Sequence, residues 1–137
     1  MMNTRTAIVA HETSTAEFMS ELLLQGGYDQ PKHSQDLSVT EQSKYAPNLL
    51  LIDFDHLLRA NDPIESIRQL RFVLPECTIA VLSSTLRRSW AAQCHLAGAT
   101  CLLAASSKRE RMLAGIRHAV QNGCYTDPGF TTAVSEN

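Results

Sequence analysis

In PNLLLIDFDHLL (Pro47 to Leu58), an apolar run of strand length ends on one aspartate, Asp53, and then on a second, Asp55. A carboxylate inside a core is costly unless something pairs with it. Leu49 to Ile52 are apolar at every position, as in a strand covered on both faces. The two acids therefore belong where that strand leaves the core, at a wet end where a site can be built.

The pattern around this strand alternates. TAIVA (Thr6 to Ala10) is a short β-rich run. TAEFMSELLLQGG follows with Phe18, Met19, Leu22 and Leu23 on one helical face, an N-cap within Thr13 to Thr15, and Gly26-Gly27 as the stop. The polar stretch after Tyr28 has room for a short strand near Lys32 and a short helix from Leu37 to Lys44. DPIESIRQLRFVLP reads as an amphipathic helix with Ile64, Ile67, Leu70 and Leu74 inward, Asp62 as cap and Pro63 in the first turn. CTIAVLSS is the next strand. TLRRSWAAQCHLAGA is a helix with Leu86, Trp90 and Cys94 at fourfold spacing, ending at Gly98. TCLLAA is a fifth strand. SKRERMLAGIRHAVQNG closes the pattern, with Met112, Leu113, Ile116 and Val120 inward and Gly123 as the stop.

Five strands alternating with five helices predict a doubly wound, flavodoxin-like α/β fold with a five-stranded parallel sheet. Ligand sites in such sheets lie beyond the carboxyl ends of the strands. That gathers His11, Glu12, Asp53, Asp55, Ser83 and Ser84 around one crevice.

The bulk numbers fit one domain. The chain has 137 residues, 44% hydrophobic content and a net charge of −2, which favours no class of partner. Charge is unevenly spread. Thr85 to Val120 holds six basic residues and one acid, against six basic and thirteen acidic elsewhere. This reads either as solvated helix faces or as a basic docking surface. Cys77, Cys94, Cys101 and Cys124 have no zinc-type spacing and read as reduced, packed thiols of a cytoplasmic protein. The N-terminus lacks a signal-peptide core, and no apolar run is long enough for a membrane span.

The order of these residues resembles the receiver domain of two-component response regulators over about Thr6 to Tyr125. NLLLIDFD matches the strand of the phosphoaccepting aspartate, with Asp53 in its place. IAVLSS matches the fourth strand, with Ser83 at the switch hydroxyl. LAGATCLLA matches the segment leading to the fifth strand. AGIRHAVQNGCYTDP looks like the last helix and exit of NarL/FixJ-type receivers that precede a helix-turn-helix domain. The resemblance implies a receiver-like domain over residues 1–126 and, over 127–137, a tail or linker to an absent effector domain through which DNA would be reached.

The family's chemistry needs an acid pair after strand one for Mg²⁺, a lysine after strand five and a switch aromatic. Here the acid pair reads Ala10-His11, the lysine position is Ala105, the switch-aromatic position is Leu102, and His56-Leu57 replaces a Met-Pro turn. Losing the acid pair and the lysine together removes most of the charge that makes phosphoryl transfer favourable. The expectation is an atypical receiver, or pseudo-receiver: a signalling module and not an enzyme, with weak or no phosphorylation of Asp53. It would control a transcription regulator by dimerisation or partner binding. The alternatives are a conventional receiver phosphorylated by a histidine kinase, and a small flavodoxin-like carrier.

Asp53 is thus phosphoacceptor or retained strand-end carboxylate. No cofactor is expected, or a weak Mg²⁺ held by Glu12, Asp53 and Asp55. His11 is either a solvated strand-end residue or a partner of Asp53 that makes the pocket pH-sensitive. Ser83 and Ser84 are switch and anion-binding hydroxyls, or simply end a strand. Trp90 is a packing residue or part of a dimer face with Arg87, Arg109 and Arg111. The family implies that face, through its fourth helix, fifth strand and fifth helix.

Overall fold

A computed structural model of the chain describes residues 4–60 and 62–131. In chain order the elements are β1 (Thr6–Val9), α1 (Thr13–Gln25), β2 (Lys32–Ser34), α2 (Val39–Tyr45), β3 (Leu49–Asp53), α3 (Phe54–Ala60) and α4 (Pro63–Val73). They continue with β4 (Thr78–Ser83), α5 (Arg88–Ala97), β5 (Cys101–Ala104), α6 (Arg109–Asn122), β6 (Tyr125–Thr126) and α7 (Pro128–Thr131). The strands form one sheet in the order β2-β1-β3-β4-β5-β6, parallel throughout. The flavodoxin-like α/β class expected from the sequence is therefore the observed one. It carries six strands and seven helices among the described residues in place of five and five.

Strand alternation splits the core in two. Val9, Leu50, Ile52, Ile79, Val81 and Leu102 face the side covered by α2 to α5. Ile8, Leu49, Leu51, Ala80, Cys101 and Leu103 face α1 and α6. Every one of these strand side chains is at most 1% exposed. Uninterrupted apolarity in β3 is thus the direct result of a sheet with two dry faces.

The helix boundaries follow local chemistry. Asp62 caps α4, its Oδ1 accepting the amides of Ile64 and Glu65, with Pro63 in the first turn. Ser38 caps α2 through the Glu41 amide. The cap of α1 is Glu12 and not a residue within Thr13 to Thr15, which already lie in the helix; Glu12 makes no side-chain cap bond. Gly98 and Gly123 end α5 and α6 with φ of 125° and 92°. The Arg71 guanidinium, on α4, binds the carbonyls of Leu74, Pro75 and Gly98 and so closes the ends of two helices at once.

One inward assignment needs correction. Val120 is 48% exposed, and Ala119 takes the buried position on that face of α6. After residue 126 the chain stays on the domain: Asp127 and Phe130 are each 2% exposed, and the Asp127 amide donates to the Leu102 carbonyl. Asp127 also accepts the Ser107 hydroxyl and the Gly129 amide, which pins α7 to the loop after β5. Residues 132–137, the rest of the expected tail, lie outside the described residues.

Candidate functional site

Chain order reverses between β1 and β3, which are neighbours in the sheet. At that switch point the carboxyl ends of β1 and β3 open into a cleft of about 410 Å³, where crevices form in this class of sheet. Glu12, Phe18, Asp53, Asp55, Arg59 and Ala105 are among its lining residues.

Asp53 ends β3, and α3 begins at the next residue. Its Oδ1 accepts the Asp55 amide at 3.1 Å, satisfying one of the free amides of the new helix. Burial raises the Asp53 pKa, and the nearby Asp55 charge adds to this. The backbone amides of His56 and Asp55 and the charge of Arg59 pull the other way without cancelling it.

Asp55 spans the rim of the cleft and the end of β4. Its Oδ1 accepts the Ser83 hydroxyl at 3.2 Å. Its Oδ2 accepts the Ser84 hydroxyl at 2.7 Å and the Ser84 amide at 3.0 Å. Ser83 is 2% exposed; its oxygen accepts the Thr85 amide, and its one proton serves Asp55 or the Thr85 carbonyl. Both serines are therefore more than the end of a strand. They are donors around an anion, and the anion is the protein's own carboxylate.

The other expected residues separate. His11 does not pair with Asp53. Its ring stacks on His56 with centroids 4.9 Å apart and faces Asp36. β1 ends at Val9, so His11 already belongs to the loop and escapes the strand alternation that would have aimed it at the cleft. Ala105 does line the cleft and brings no charge to it. Lys108 caps α6 and borders a different cavity of about 590 Å³, with Arg111 and Asp127. Leu102 is 1% exposed in the core, where an aromatic able to swing would need space.

The four residues expected on one dimer face also divide. Arg109 lies over the Phe18 ring and pairs with Glu21 at 3.3 Å, which turns it toward α1. Trp90 packs edge-on against Phe54 at 5.5 Å. Arg87 is exposed at the start of α5, and Arg111 is exposed beside the second cavity.

The three acids expected to hold a weak Mg²⁺ do not converge on one point. Among the described residues Glu12, Asp53 and Asp55 do not form a cluster with ligand atoms all within 4.8 Å of one another; His11, Asp36 and His56 do. Asp55 is also committed to the serines.

Arg59 and Asp36 went unread in the sequence. Arg59 brings the cleft a cation. Its spacing from Asp55, four residues on, is the helical signal that would have marked it had α3 been recognised. Asp36 sits in a polar loop and carries no local signal.

No protein-family model matches the chain, and no curated protein matches it in sequence. Solved structures do match in fold. A two-component response regulator of the LuxR family from Aurantimonas sp. SI85-9A1 superposes with a TM-score of 0.77 at 17% identity, over 98% of this chain and 97% of that one. A response regulator from Thermotoga maritima gives 0.75 at 15%, over 88% and 100%. The chemotaxis protein CheY4 of Vibrio cholerae gives 0.72 at 16%, over 85% and 98%. The chain has the fold of response regulator receiver domains. Among the described residues no helix is long and apolar enough to cross a membrane.

Proposed function

We propose that the chain is an atypical receiver module of two-component-type signalling that works with little or no phosphorylation of Asp53. The observation that carries this reading is the Asp55 carboxylate on Ser83 and Ser84. In the family that the sequence resembles, the switch hydroxyl follows the phosphoryl group. Here that donor already serves an internal anion. Two further features support the reading: Ala105 stands where the resemblance expects a lysine, and the acids of the cleft do not gather into a metal site.

Output then rests on a conformational or association equilibrium that a partner protein biases. Such a partner would be a histidine kinase or another signalling protein, and the output would reach DNA through an effector domain. Self-association through α5 is supported by Leu96, which is 89% exposed, and by the exposed Arg87 at the N-cap of that helix.

The test is the intact mass after incubation with acetyl phosphate, with and without Mg²⁺, for the wild type and Asp53→Ala. The reading expects no Mg²⁺-dependent adduct. An adduct that Asp53→Ala abolishes would establish a conventional receiver instead, with Arg59 as the cation available to the phosphoryl oxygens.

A further inference from the structure

We infer that His11, Asp36 and His56 form a binding site for a borderline transition-metal dication of the Zn²⁺ type. The three come from separate segments: His11 from the loop after β1, Asp36 from the loop between β2 and α2, and His56 from α3. The site does not depend on the signalling reading above; His11 stands at one of the two positions where the receiver resemblance expects the Mg²⁺ acids, whereas Asp36 and His56 lie outside that set.

Two imidazole nitrogens converge on one carboxylate oxygen. His56 Nε2 lies 3.4 Å and His11 Nδ1 3.9 Å from Asp36 Oδ1. The three donor atoms all lie within 4.8 Å of one another. In a tetrahedral site with metal–ligand distances near 2.0–2.2 Å, ligand atoms stand about 3.3–3.6 Å apart. The observed donors are thus at, or somewhat beyond, the spacing that a shared ion imposes.

The closure is available because the residues differ in freedom. The His56 side chain is only 14% exposed and is held by its surroundings; those of His11 and Asp36 are 54% and 79% exposed. One ligand is fixed in advance and two can swing. The imidazole rings are nearly parallel, at 10°, so the exposed His11 ring turns to bring its lone pair onto the ion.

The donor set selects the ion. Two imidazoles and one carboxylate suit Zn²⁺, Ni²⁺ or Cu²⁺, whereas Mg²⁺ and Ca²⁺ favour an all-oxygen shell. Three protein ligands leave a position open for water or for a partner's side chain. His33, the neighbouring histidine, has its Nε2 engaged with the Ala10 carbonyl at 2.8 Å. Bound metal would tie the loops after β1 and β2 to the first turn of α3, the turn that also carries Asp55.

The experiment is a calorimetric titration of the reduced full chain with ZnCl₂, run alongside thermal denaturation with and without Zn²⁺. One equivalent should bind and raise the melting temperature. Loss of either imidazole, in His11→Ala or His56→Ala, should weaken binding by about tenfold or more, since even the outer partners of a ligating histidine are worth that much. His11→Ala removes an exposed side chain and keeps the test valid if His56→Ala folds poorly. Binding should also weaken at acid pH, because the ligands must be deprotonated. Three results would overturn the proposal: no saturable binding at a large excess of Zn²⁺, binding untouched by His11→Ala, or binding abolished by Cys124→Ser. The last would move the ion to Cys124 and His95, whose Sγ and Nδ1 lie 4.0 Å apart.

Discussion

Asp55 holds Ser84 through two donors: the Ser84 hydroxyl donates to its Oδ2 at 2.7 Å, and the backbone amide to Oδ2 at 3.0 Å and Oδ1 at 3.2 Å. With the Ser83 bond, this couples the first turn of α3 to the end of β4, two segments that sit side by side at the rim of the cleft. Hydrogen bonds to a charged acceptor contribute more than neutral ones. Asp55→Ala should therefore lower stability by about 1–2 kcal/mol, a value reduced for the exposure of Ser84. Urea denaturation measures it, and an unchanged midpoint would count against a structural part for the contact. The same substitution frees three donors beside Asp53, so any phosphoryl adduct should become easier to form in Asp55→Ala than in the wild type.

Asp53 makes a pH-dependent contribution. Burial, helped by the Asp55 charge, raises its folded pKa, so the native state holds the proton more tightly than the unfolded chain. The stability it contributes is present in full below the ordinary aspartate value of about 3.9 and is lost as pH rises through the higher folded value. Asp53→Asn keeps an acceptor for the Asp55 amide and carries no charge. It should melt higher than the wild type near neutral pH, and the gap should close as the medium is acidified. Melting temperatures of the two proteins across that range are the check.

Glycines 98 and 123 should respond differently to alanine. Both have positive φ. A Cβ at Gly98 would lie 2.6 Å from the Arg71 Cβ, whose guanidinium holds the Gly98 carbonyl. At Gly123 nothing lies within 4 Å. Gly98→Ala should cost about 2 kcal/mol or more from backbone strain and displacement of Arg71, and Gly123→Ala only about 1 kcal/mol from strain alone. Denaturant midpoints for the pair would separate the two effects.

The cysteines should sort by burial. Cys77, Cys94 and Cys101 are buried thiols with pKa values pushed up to about 12, chiefly by desolvation. Cys124 is exposed. Iodoacetamide at mildly alkaline pH should label Cys124 alone in the native protein and all four in denaturant, read by mass spectrometry. Rapid native labelling of Cys94 or Cys101 would mean that the core opens more readily than its packing implies.

Strands were legible because burial on both faces demands unbroken apolar runs, and Leu49 to Ile52 and Ile79 to Leu82 have them. Long helices were legible from caps such as Asp62 and stops such as Gly98. α3 was missed because it starts directly after Asp53, with no turn residue between, and spans seven residues. β6 and α7 are two and four residues long, too short for any period to register. Ala119 and Val120 show a finer limit: neighbouring apolar residues on a helix compete for one inward position, and the smaller took it. At the site, Asp53, Ser83 and Ser84 could be found because strand ends place them. Asp36 and His56 could not be paired in advance, since twenty residues separate them and only the folded loops bring them together.

Trp90 is the only tryptophan in the chain, and its edge contact is with Phe54, the residue that follows Asp53. The junction of β3 and α3 thus lies against the single strong fluorophore. Anything that displaces that junction, whether a phosphoryl group on Asp53, the loss of Asp55 or an ion on His56, changes the surroundings of one indole. The molecule has a built-in optical gauge of its own site, readable in solution without a label.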